Sequence, residues 1–85
     1  MSTRQIVIDV PEMVLLAEKK DEASFARELR MLAAVKLYEL GQLSSGAAAL
    51  LAGVPRVVFL SKLADYGVDT FRLTEAELRR ETRLA

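Results

Sequence analysis

The stretch SSGAAALLAGVPRVVFLSKLADYGV, Ser44 to Val68, restricts the fold more than any other part of the chain. Ser44 or Ser45 can cap a short helix running to Leu51, because a serine hydroxyl accepts from a backbone N–H that the first helical turn leaves unpaired. Ala52-Gly53-Val54 then forms a tight connection, with Gly53 free to take a positive φ. Pro55 has a fixed φ and no N–H to lose, so it suits the first position of a second helix that runs to about Tyr66, where Gly67 ends it. Helices joined by so short a turn must touch through small residues, which Ala48, Ala49 and Ala52 provide. Phe59 and Leu63 supply the apolar lock in the second helix. This is the pattern of a helix-turn-helix over residues 44–67. An ordinary helical hairpin in an all-α domain is the other reading.

Upstream, Gln5 to Val10 (QIVIDV) alternates, with Ile6, Ile8 and Val10 on one face and Gln5, Val7 and Asp9 on the other. Period two predicts a half-buried strand over 5–10. Pro11 stops it and opens a short helix over Glu12 to Lys19. A strand cannot satisfy its own backbone groups. Its mate is either Val68 to Leu73 of the same chain or the same strand of a second copy. Asp21 is a fair cap for a long helix from Glu22 to Leu40, with Gly41 as its stop. Phe25, Leu29, Leu32, Lys36 and Leu40 lie near one stripe of that helix. Its second half is nevertheless apolar almost all round, which a one-sided surface helix is not. It is therefore either the centre of the domain or covered by another subunit. Thr74-Glu75-Ala76-Glu77 matches a capping box and opens a charged helix through Leu84. The expected fold class is mainly α: helices over 12–41, a helix-turn-helix core, an N-terminal β-strand and a short C-terminal helix. All of it forms a single domain over 1–85.

Composition narrows the function. Eighty-five residues form one domain, and a chain so short buries only about 60–65% of its unfolded surface. There is no cysteine and no histidine, so neither a disulfide nor a Cys/His metal site can supplement the core. Oligomerisation remains, and a 52% hydrophobic content favours it. A homodimer or higher oligomer is expected, with Ile6, Ile8, Val10, Met31, Val35 and Tyr38 as candidate interface residues. No segment reads as a signal peptide or membrane span, so a soluble cytoplasmic protein is expected.

Twelve basic and twelve acidic residues cancel. A module gripping several phosphates shows at least a local basic excess, so any DNA binding must come from a patch, a dimer or a partner. On the second helix of the pair, Arg56 and Lys62 are suited to base edges or phosphates. Val57 offers only an apolar contact, and Asp65 repels the backbone. The candidate DNA-binding residues are Ser45, Arg56, Val57, Ser61 and Lys62. No catalytic constellation or Gly-rich phosphate loop is present, so neither an enzyme nor a cofactor or small-molecule site is expected.

The run from Leu32 to Phe71 closely resembles the core of the UPF0175 family of short prokaryotic proteins. The pieces that carry the resemblance are AVKLYELG (Ala34–Gly41), LSSGAAALLAG (Leu43–Gly53), Arg56 with Phe59-Leu60, and YGV (Tyr66–Val68). The opening IDVPEMV (Ile8–Val14) and the charged tail extend it over nearly the whole chain. Pro55 stands where the family commonly has Ser, and Ala47 where it often has Lys, which reduces the basic face. The resemblance implies an antitoxin-like protein that dimerises, binds its own operator DNA and masks a PIN-domain-like toxin, a Mg²⁺-dependent ribonuclease. Such a nuclease site is a carboxylate cluster, and arginine pairs with carboxylates bidentately. The tail, 74–85, is thus the expected partner-binding segment. Arg79, Arg80 or Arg83 would enter the site, with Phe71, Leu73, Leu78 and Leu84 beside it as anchors.

Overall fold

The computed structural model describes residues 2–68. Among these residues four α-helices and a 3₁₀ turn follow one another: α1 (Glu12–Glu18), α2 (Glu22–Glu39), α3 (Ser45–Ala52), α4 (Arg56–Lys62) and the turn Leu63–Tyr66. The expected C-terminal helix, and with it Phe71, Leu73, Leu78, Arg79, Arg80 and Arg83, lies outside the described residues.

Local chemistry sets the helix limits. The Asp21 carboxylate accepts from the Ser24 N–H at 2.8 Å and opens α2. That bond, with help from the Ser24 hydroxyl, holds the Asp21 carboxyl below its ordinary pKa, because it favours the charged form. Ser44 caps α3 in the same way, accepting from Ala47 N–H at 3.1 Å. Helix α1 closes on Lys19 at φ 57°, a left-handed conformation uncommon for a side-chain-bearing residue. Pro55 sits one position earlier than expected, as the residue before α4 with φ −62° and ψ 150°. The second helix is also not α-helical to Tyr66. It tightens into the 3₁₀ turn after Lys62, as helix ends commonly do.

The core lies at the C-terminal end of α2. Met31, Ala34, Val35 and Tyr38 bury one face against Ala48 and Ala49 of α3, Phe59 of α4, Leu63 and Val68. The Tyr38 and Phe59 rings meet edge to face, with centroids 5.7 Å apart and planes at 82°. Ala48, Phe59 and Leu63 are completely buried. The Gly53-Val54-Pro55 turn redirects the chain so that the helices before and after it lie at 92°. Ala48 and Ala49 permit this crossing because they add no more than a methyl group at the contact.

Two expectations are corrected here. Met31, Val35 and Tyr38 do not form a free interface: they are buried in their own chain, so α2 is the centre of the domain. The Phe25–Leu40 stripe is the other face of α2, where Leu32 and Leu40 stay exposed and Phe25 and Leu29 are half-buried. Second, residues 5–10 form no strand, and no strand occurs among the described residues. A ladder needs a mate; the in-chain candidate begins at Val68, which is buried in the core instead, and continues outside the described residues. No single helix among the described residues is long and apolar enough to cross a membrane.

Candidate functional site

The surface around the α3–α4 crossing is built from both helices. Ser45 opens α3, and helical geometry turns its side chain inward, where it is fully buried. A buried hydroxyl needs a partner. The Arg56 Nε, from the first residue of α4, donates to Ser45 Oγ at 2.6 Å. Ser45 is therefore not a reader of DNA. It is a positioning residue that holds the Arg56 guanidinium beside the first turn of α3. The remainder of Arg56 is at the surface.

Val57, next along, is 78% exposed. A single aliphatic side chain this open is ordinary on a protein surface and marks no site by itself. The Ser61 hydroxyl donates to the Val58 carbonyl at 2.8 Å, so it is engaged within its own helix. Lys62 is exposed but does not share a face with Arg56, since six residues carry the helix about 240° round. Lys62 instead lines a groove with Lys20, Arg27, Gly53 and Tyr66. The structure thus brings Ser45 and Arg56 together, leaves Val57 exposed, and places Lys62 in a separate groove lined by Lys20 and Arg27 and also by Glu28. Tyr66 is 41% exposed and lines that groove.

Sequence reasoning missed three contributors. Lys20 and Arg27 come from α1's exit and from α2, more than thirty residues from Lys62, and Lys20 is paired with Glu28. Arg30 donates from Nε to the Leu51 carbonyl at 2.7 Å, satisfying an acceptor that the end of α3 would otherwise leave unpaired. Its guanidinium also lies 3.3 Å from where a Cβ on Gly53 would be. No local signal marks a contact spanning 21 residues, though a cation near a helix C-terminus fits the dipole. Among the described residues no three acidic, His or Cys side chains converge as a metal site would require.

Among the described residues the geometry is mainly helical, with α3 and α4 crossing tightly under a mixed apolar and basic surface. The chain belongs to the UPF0175 family, an uncharacterised protein family whose model matches residues 1–85, the whole chain. No curated protein and no solved structure matches it.

Proposed function

We propose that this chain is a non-enzymatic, antitoxin-like regulator that neutralises a partner ribonuclease and uses the α3–α4 pair as a helix-turn-helix toward its own operator. The observation that carries the binding role is the α4 surface: Val57 stands open beside an Arg56 held in place by buried Ser45. A near-perpendicular crossing across a three-residue, glycine-containing turn is the geometry of a helix-turn-helix. Arg56, tethered beside the first turn of α3, suits a phosphate better than a base edge. Lys62 faces elsewhere, and Asp65 offsets the charge. The duplex contact of one chain is accordingly weak, and protein contact is the stronger activity.

The antitoxin role rests on family resemblance and on the tail chemistry. Arg79, Arg80 and Arg83 are suited to a carboxylate-rich nuclease site, and Phe71, Leu73 and Leu78 to anchoring beside it. The deciding experiment is co-expression with the product of the adjacent reading frame. A stable complex that suppresses ribonuclease activity, and loses suppression when the three arginines become alanine, supports the reading. Intact suppression by that triple variant ends it. A gel shift on upstream DNA at stated salt separates operator binding: Arg56→Ala should weaken it at least tenfold.

A further inference from the structure

Along the N-terminal arm an open backbone runs beside a groove that is only half closed. No backbone hydrogen bond joins residues 5–10 to any other described residue. Ile6, Val7 and Ile8 are 84%, 91% and 67% exposed, and α1 contributes no buried residue. Ile6, Ile8, Asp9 and Val10 nevertheless line one groove, of about 510 Å³, whose floor includes Leu15 of α1 and Phe25 and Leu29 of α2. That groove has two different ends. Glu22 lines it as well, and with Val10 and Leu15 it also lines the adjoining hollow beside Glu12, so the carboxylates gather at the Val10 end. Among the described residues neither Asp9 nor Glu22 takes part in an ion pair. Arg30 is on the same lining, but its Nε donates to the Leu51 carbonyl and its guanidinium lies by Gly53. The groove is thus apolar along Ile6 and Ile8 and negative at its other end, with unpaired N–H and C=O groups along one side.

We infer that this groove receives an extended strand of a different protein, one with apolar side chains at alternate positions and a Lys or Arg next along the same face. The arm's donors and acceptors recur along the chain, and a peptide backbone answers them in series, as strand addition to an open edge does. A lipid surface or a small apolar molecule covers Ile6 and Ile8 but gives those groups no partner. Same-face residues of a strand stand about 6.4–6.8 Å apart. With apolar residues over Ile6 and Ile8, the next residue on that face therefore reaches the Val10 end, where a cation meets Asp9 and Glu22. Opposite charges across a strand pair stabilise it, and like charges destabilise it. A second copy's arm is the wrong occupant for that reason, since it adds another Asp9 to a groove already lined by two carboxylates. A two-stranded ribbon is marginal in water without a further layer to pack on, and Phe25 and Leu29 of α2 supply that layer. This inference stands apart from the proposed antitoxin role and does not depend on it.

The probe is a fluorescein-labelled peptide with blocked ends, Val-Thr-Val-Thr-Lys-Thr, in which both valines and the lysine share one face. Its fluorescence anisotropy with the full chain should saturate below about 1 mM. Replacing the peptide's lysine by glutamate should weaken binding at least tenfold. Asp9→Asn combined with Glu22→Gln should make the lysine and glutamate peptides bind alike. Methylating the nitrogens of one alternate set of peptide amides should cost at least tenfold and methylating the other set little, because only one edge of the peptide pairs. Those two tests alter the peptide alone, so the folding of the chain does not enter them. Saturating peptide should also slow amide exchange over residues 6–10 at least tenfold. Three outcomes overturn the inference: no saturation up to that concentration, equal binding of the lysine and glutamate peptides by the wild-type chain, or arm amides already slowed in the peptide-free chain. The last would assign the groove to a second copy or to residues 69–85 of the same chain.

Discussion

Phe59 shows how much of this molecule depends on one side chain. It is completely buried, meets Tyr38 edge to face, and occupies the point where three helices converge. Phe59→Ala should lose about 3–5 kcal/mol in urea unfolding, a large share of the roughly 5–15 kcal/mol available to a domain. Phe59→Leu should lose less, retaining apolar volume while forfeiting the ring contact. If the alanine variant unfolds within about 1 kcal/mol of wild type, the core has been misplaced. Asp21 gives a second test, in acid. Its folded pKa is depressed, so its contribution is complete above the ordinary aspartate pKa and disappears as pH falls through the lower folded value. The Ser24 amide resonance should titrate with a midpoint below that of an unstructured aspartate. Asp21→Asn retains a cap without the titration and should flatten this part of the acid dependence. Parallel acid profiles for wild type and variant would contradict the assignment. Ser45 marks a limit on reading residues from sequence. A serine at a helix start suggests a solvent-facing cap, and only the packed fold shows it buried beneath Arg56.

At the scale of elements, Gly46 and Gly53 bracket α3 and predict opposite responses to the same change. Gly46 lies in the first turn, where an added Cβ meets nothing nearer than Ser44 Oγ at 4.0 Å. Gly46→Ala should stabilise by about 0.5–1 kcal/mol, because alanine has less backbone freedom to lose. Gly53 sits at φ 75°, and Gly53→Ala should destabilise by about 1–2 kcal/mol. The nearby Arg30 guanidinium can move aside, so the backbone conformation sets that cost. Thermal unfolding of the two variants tests both signs, and a shift in the same direction for both would refute the account. Element limits were legible in the sequence because they are local: Pro11, Asp21, Ser44 and Gly53 act within a turn of their own position. The inward face of α2 was not. From Met31 to Leu40 apolar residues surround the helix, and nothing in that run distinguishes buried Ala34 from exposed Leu32. The α3–α4 pair was legible as a unit, whereas its surface was not, because only the packed fold buries Ser45 beside Arg56 and brings Lys20 and Arg27 to the groove of Lys62.

For the whole molecule, order and burial do not coincide. Packing is concentrated where the end of α2 meets α3 and α4, while the arm and α1 extend along the other half of α2 with little covered. A seven-residue helix that buries nothing has scant stability of its own, since nucleating so few residues is unfavourable in water. Amide hydrogens of α1 in an isolated chain should therefore exchange with deuterium at nearly the rate of an unstructured peptide. Those of Ala34, Val35 and Tyr38 should exchange only through global unfolding. Uniform protection across α1 and α2 in a demonstrated monomer would disprove this division. The segment Glu12–Glu18 thus acts as an isotope gauge: the slowing of its exchange measures how often its exposed side is covered.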